Sequence, residues 1–276
     1  MKCFSMPSNS AFRRSLLLVT AALFIGLSGF AQILTFDFAG AAGNEATWPS
    51  NSNDARLTSS VISRSPALYP ALTAGIFNST GWAGPHNASP DPNRYLEFTI
   101  TPLPGKKFSI TLLTFTYRRV VGITAPLKMV IRTSADGFTS NVGGIVNFPN
   151  NVNDFLPHTT TRNFSILDQQ TPLTIRFYPY NAQPTWGGQF GLGSNIGNDI
   201  IVNGTTQDLS TTVQFVNTAS TVTEGGGPVD LPLSIINPSS TTPTSVTISK
   251  TDILITANFL YLNNCISICV DTYTAV

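Results

Sequence analysis

The sequence predicts an all-β protein, a jelly-roll β-sandwich followed by a partial second β-sandwich. Three observations carry that prediction. Period-two alternation of apolar and polar residues recurs along the chain, helical periodicity is missing, and the alternating runs are short and bounded by Gly, Pro, Asn and Ser. A content of 42% hydrophobic and 10% aromatic residues supplies a core, whereas charged residues make up only 11%. Such a surface, built largely from Thr, Ser and Asn, is extracellular in character.

The opening segment stands apart from this pattern. Lys2, Arg13 and Arg14 precede an apolar run from Leu16 to Phe30, and Gly29-Phe30-Ala31 places small residues where a signal peptidase cuts. Residues 1–31 therefore read as a secretory signal, with a mature start at Gln32 and a secreted or cell-surface destination. No later stretch is apolar enough to span a bilayer, so no membrane span is expected once the signal is removed. Without the three leading bases, 12 basic residues face 14 acidic ones, a net charge of −2. That leaves no basic stripe for nucleic acid. Cys3 departs with the signal, and Cys265 and Cys269 alone cannot make a disulfide framework.

The strands follow in order. Leu34, Phe36 and Phe38 alternate with Thr35 and Asp37 to give a first strand. Residues 41–58 read as a Gly/Asn/Ser loop around Trp48, Ser59–Arg64 as a short strand, and Thr80–Asn93, with its Gly and Pro residues, as a loop carrying Trp82 and His86. Leu96, Phe98 and Ile100 form a strand that stops at Pro102 and Pro104, which cannot donate to a ladder. Next, Phe108, Ile110 and Leu112 are followed by Leu113, Phe115 and Tyr117, a one-residue phase slip that predicts a β-bulge or a bend between sheets. Neighbouring Arg118 and Arg119 must point to opposite faces, which predicts that one is buried and paired. Leu127, Met129 and Ile131 lead into the tight-turn pair Asp136-Gly137, after which Val142–Phe148, Arg162–Leu167 and Pro172–Tyr180 are further strands. In the last of these Leu173, Ile175 and Phe177 point inward, and Thr174, Arg176 and Tyr178 outward. A Gly-rich loop from Trp186 to Gly197 precedes Asp199–Gly204, whose Asn203-Gly204 pair reads as a turn that closes the fold. The expected plan is thus a sandwich over 32–205, a linker over 206–212 and an incomplete segment over 213–276. A jelly roll joins first and last strands, which would set Asp37 and Asp199 on neighbouring strands.

Taken as an ordered set, Leu34-Thr-Phe-Asp-Phe, Tyr95-Leu-Glu-Phe-Thr-Ile, Arg132-Thr-Ser-Ala-Asp-Gly-Phe-Thr-Ser-Asn, Ile175-Arg-Phe-Tyr-Pro-Tyr and Asp199-Ile-Ile-Val-Asn-Gly-Thr resemble the jelly-roll modules of large secreted bacterial proteins. Those modules are similar in fold to carbohydrate-binding modules, so the resemblance implies an accessory domain. Further on, Val213-Gln-Phe215, Val222-Thr-Glu224-Gly225 and the alternation Val229, Leu231, Leu233, Ile235 resemble the opening strands of a Calx-beta domain, a small sandwich that can bind calcium. The match runs to about Ile248; the later acidic cluster of that family is absent. The resemblance implies a ligand role for Glu224.

Calcium takes about six to eight oxygen ligands. Asp37, Glu45 and Asp199 are candidate calcium ligands because closure of the jelly roll would gather them at one edge; the alternative is that Asp37 and Asp199 are solvent-facing strand or turn residues. Sugar binding needs aromatic platforms beside planar polar groups, and Trp48, Trp82 and Trp186 are candidates, the alternative being that loop tryptophans plug the open ends of a sandwich. His86 and His158 read as solvated loop residues, and no Gly-x-Ser-x-Gly or His-Glu-x-x-His motif occurs. Asn78, Asn87, Asn163 and Asn203 begin glycosylation sequons. The expectation is a non-enzyme, a surface module that binds an extracellular glycan or adheres to a surface protein. A structural spacer in a larger secreted protein and an extracellular hydrolase are the competing readings.

Overall fold

The alternating runs pair into two antiparallel sheets whose apolar sides face each other. The computed structural model describes residues 31–83, 88–120, 124–149, 155–182, 188–216, 233–237, 244–250 and 253–259. Residues 1–30, which hold most of the expected signal, and His86, Asn87, Trp186, Glu224, Cys265 and Cys269 lie outside them. In chain order the strands are β1 (Ala31–Phe36), β2 (Thr47–Pro49), β3 (Ser52–Asn53), β4 (Val61–Arg64), β5 (Tyr69–Pro70), β6 (Phe77–Thr80), β7 (Leu96–Ile100), β8 (Lys106–Val120), β9 (Lys128–Thr133), β10 (Val142–Asn147), β11 (His158–Gln169), β12 (Leu173–Tyr180), β13 (Gln189–Leu192) and β14 (Ile200–Asp208). An eight-stranded sheet runs β3-β1-β14-β8-β13-β6-β5 with β11 also on β8, and a six-stranded sheet runs β10-β9-β12-β7-β4-β2. This is the all-β sandwich the alternation predicts.

Between the sheets lies an aromatic core. Phe36 of the first sheet meets Phe98 of the second at 5.2 Å between ring centroids, and Phe115 meets Phe177 at 5.2 Å, edge to face. All four rings are buried. Rings in tilted and edge-on contact add about 0.5–1.5 kcal/mol per pair beyond their burial.

First and last strands do adjoin: Phe36 pairs with Ile200 and Thr35 with Ile201. The phase slip in the long strand is a bulge, not a bend, since β8 stays in one sheet. Asn203 pairs with Leu112 and Gly204 with Ile110, so Thr111 is the extra residue, and Thr111 and Leu112 are both half-buried while the core face passes from Ile110 to Leu113. The bulge also corrects the reading of Asn203-Gly204 as a turn. Strand β14 continues to Asp208, because a Cβ on Gly204 would lie 1.9 Å from the Ser109 carbonyl oxygen. That glycine serves close strand approach rather than reversal. A true reversal occurs at Asp136-Gly137, where Gly137 has φ of 69° after a 3₁₀ turn over Ser134–Asp136 and Asp136 accepts from the amides of Thr139 and Ser140.

Two further predicted features change. The 41–58 loop contains β2, in which Trp48 pairs with Ile62, and β3, which pairs with β1. His158 is not a solvated loop residue, for it opens β11 and stacks on Tyr117 with centroids 5.6 Å apart. Of the adjacent arginines, Arg119 is the buried one, donating to the carbonyls of Pro149 and Ala125, and Arg118 donates to the Phe155 carbonyl. Farther along, β15 (Thr212–Phe215) pairs with β16 (Leu233–Ile236), Val213 opposite Ile235, and β17 (Thr244–Lys250) pairs with β18 (Ile253–Phe259).

Candidate functional site

The six-stranded sheet carries its large polar and aromatic side chains on the outside. Strict alternation along β12 sends Leu173, Ile175 and Phe177 to the core, so Arg176, Tyr178 and Tyr180 share the opposite face. The same rule places Glu97 outward from β7, and Val130 and Arg132 outward from β9. Register then assembles them: Arg176 lies between Glu97 on one neighbouring strand and Arg132 on the other, and Tyr178 lies beside Val130. Pro179 interrupts β12 where it has already run past β7, whose last partner is Phe177, so the missing amide leaves no gap in that ladder.

Packing on this face is tight enough to form a second small cluster, in which Tyr178 is 2% exposed and Tyr180 7%, with Tyr95 half-buried against them. Tyr95 and Tyr178 sit 5.6 Å apart, tilted. The Arg176 guanidinium is sandwiched between the rings of Tyr95, at 3.9 Å, and Phe138, at 3.8 Å. Its Nε donates to Glu97 Oε2 at 2.7 Å and one Nη to the Tyr178 hydroxyl at 3.5 Å. Arg132 lies over the Tyr178 ring at 5.6 Å, its Nε donating to Asn141 and one Nη to the Phe138 carbonyl. Burial works against the Arg176 charge, but its bonds to Tyr178 and Glu97 outweigh burial and raise its pKa. Burial, assisted by the Glu97 charge, raises the Tyr95 phenol, and burial raises Tyr180 against the pull of Arg132. Both tyrosines therefore stay protonated hydrogen-bonding groups at neutral pH.

The residues singled out from the sequence lie elsewhere. Asp37 and Asp199 are close, as the jelly-roll closure implies. Asp199 is buried, accepts from the Phe38 amide at 2.9 Å and the Ser194 hydroxyl at 2.7 Å, and has its pKa raised, first by burial and further by Asp37. Asp37 accepts from the Ala39 amide, and Glu45 turns its two oxygens to the amides of Ala42 and Gly43. Among the described residues no group of three or more His, Cys, Asp or Glu side chains is assembled that could hold a metal ion. Trp48 is half-buried on the edge strand β2, its indole N–H donating to the Asp37 carbonyl and its ring packed on Phe38. Trp82 is 3% exposed, donates to the Ser79 carbonyl and meets Phe190 edge-on. Trp186 and Glu224 lie outside the described residues.

A second polar cluster links β4 of one sheet to β6 of the other. Arg64 bonds to the carbonyls of Glu45 and Asn78 and to Ser79 Oγ, with its guanidinium 4.2 Å from the Phe77 ring, and burial lowers its pKa against the attraction of Glu45. This is a satisfied structural network. It also buries Asn78 completely, whereas Asn163 is exposed on β11.

No family model matches the chain, and no curated protein matches it. Among solved structures it is similar to a carbohydrate-binding module, CBM28, described as specific for non-crystalline cellulose, at 12% identity and a TM-score of 0.30, over 61% of this chain and 88% of that one. A likeness this distant adds nothing to the assignment of a site. The fold is established by the two sheets themselves.

Proposed function

We propose that the chain is a non-catalytic module and that a glycan docks on the outer face of the six-stranded sheet. One observation carries this reading: Tyr95, Arg132, Arg176 and Glu97 present aromatic surface and planar hydrogen-bonding groups on the outer side of a sheet, held in place by their neighbours. Sugars offer apolar ring faces and arrays of hydroxyls, and preorganised aromatic and planar polar groups recognise both. Outward placement of large side chains on β7, β9 and β12 supports a binding role for this face over the buried Trp82 and the fully bonded Arg64. An exported location follows from the sequence of residues 1–31, and a mature N-terminus at Gln32 in secreted material would support it. The reading is tested by probing a glycan array with the purified chain. Retention of one class of polysaccharide is expected, and no retention of any would overturn the proposal.

The burial of Tyr178 on an outward position favours a second reading, in which the same cluster merely stiffens a spacer. In that case substitution of Tyr178 lowers the melting temperature, and no glycan is retained by the unsubstituted chain.

A further inference from the structure

The outer face pairs two cations across one rung of the sheet. Arg176 and Arg132 are direct cross-strand neighbours, a separation at which like charges repel. Glu97 is the one carboxylate on that rung's other side, and it is committed to Arg176 Nε. Lys128 precedes Val130 and Arg132 on the outward side of β9 and stands opposite Tyr180. Both guanidiniums are oriented by bonds to Nε and one Nη, and the second Nη of each has no protein acceptor among the described residues. The rings of Tyr95 and Phe138 fix the plane of Arg176. Immobilised, partly desolvated and one negative charge short, this pair has the donor geometry that suits a planar carboxylate or a sulfate.

We infer that the ligand of this face is an anionic polysaccharide, one whose sugar rings carry carboxylate or sulfate groups. This inference rests on the proposed glycan-binding role of the same face and specifies its chemistry. The sugar ring packs on Tyr95, and its acidic substituent spans the free edges of Arg176 and Arg132. The formal charge of the whole chain is only +1, so overall charge does not draw in a polyanion and any preference reports the local cations.

The test is calorimetric titration of the purified chain with polygalacturonate, its fully methyl-esterified form, dextran sulfate and neutral dextran, each at low and at 0.5 M salt. Expected is binding of polygalacturonate, dextran sulfate or both at least tenfold tighter than their neutral counterparts, weakened severalfold by salt. Which of the two polyanions binds more tightly distinguishes carboxylate from sulfate. Arg176→Gln and Arg132→Gln should each erase most of that preference, and Lys128→Gln should reduce it less; melting curves confirm that each variant is folded. Equal binding of the neutral polymers would overturn this inference and leave the glycan-binding role standing. Absence of binding by all four polymers, together with a blank glycan array, would overturn both. A preference for polyanions that survives in the folded Arg132→Gln/Arg176→Gln double variant would place the anion elsewhere and overturn the inference.

Discussion

The two outer faces of the sandwich make opposite use of the same strand geometry. On the eight-stranded sheet two pairs of outward threonines on β8 and β11 satisfy each other: Thr114 bonds to Thr161 at 3.0 Å and Thr116 to Thr159 at 2.9 Å, each pair directly opposed. On the six-stranded sheet Thr99 and Thr174 do the same at 2.8 Å, but beyond them the outward positions change to Tyr, Arg and Glu with donors left over. A self-satisfied face adds stability and offers a ligand little. A face with oriented, unsatisfied donors gives up some stability through its like-charge pair and can recover it only when something binds. The difference teaches where to look in such a sandwich: at the sheet whose outward rungs do not balance.

The largest expected effect lies at the seam of the eight-stranded sheet, away from both faces. Asp199→Ala strands the buried Phe38 amide, leaves the Ser194 hydroxyl only the Ile196 carbonyl to donate to, and should lower stability by about 2–3 kcal/mol in denaturant melts. If it also abolished glycan binding in the still-folded protein, the division between a structural seam and a binding face would fail. Because burial raises the Asp199 pKa, the folded state holds its proton more tightly than the unfolded chain. Its contribution is then most favourable below the ordinary carboxylate value of about 3.9 and declines as pH rises through the raised folded value, flat thereafter. Asp199→Asn keeps an acceptor for Phe38 and removes that slope; an unchanged acid-side profile in the variant would assign the slope to other groups.

Next in size is Tyr95→Ala, expected to weaken glycan binding about thirtyfold, near 2 kcal/mol, with a stability change below about 1 kcal/mol, since Tyr95 is only half-buried. A stability loss without a binding loss would move Tyr95 into the spacer reading. Smaller again is the double substitution Thr114→Ala/Thr161→Ala, which deletes one cross-strand hydroxyl pair and should cost about 0.2–1 kcal/mol with binding untouched. The smallest effect expected is that of millimolar calcium on the melting temperature, because Glu45 and Asp199 spend both carboxylate oxygens, and Asp37 one, on amides and a hydroxyl. A clear rise would show that the ion displaces those donors, as binding to the native state must stabilise it.

Much of the fold was legible because strand periodicity is a local property. The slip from Leu112 to Leu113 locates the bulge within a residue or two, and the inward set Leu173, Ile175 and Phe177 matches the core. Gly204 was misread because a glycine that reverses the chain and one that admits a neighbouring carbonyl look alike until the partner strand is known. The site was much less legible. Arg176 and Tyr178 were readable as outward, and so was Glu97, yet their convergence depends on β7, β12 and β9 lying side by side, a matter of strand order that no local pattern encodes. Tryptophans drew attention as platforms, while Trp82 is spent on the core and on the Ser79 carbonyl.

Strands β13 and β14 meet β8 end to end along one edge, and the chain between them leaves and rejoins at a single residue: Gly193 donates to the Thr116 carbonyl, and the Thr116 amide donates to the Asp199 carbonyl. The ladder therefore does not register how many residues lie in the excursion over 194–198. Ile196 at its tip is 82% exposed. Lengthening such a loop costs only about 0.6 kcal/mol per doubling in closure entropy, so the interval between Ile196 and Gly197 is a natural point of insertion, where lineages or engineers can add a peptide without unpicking a rung of either sheet.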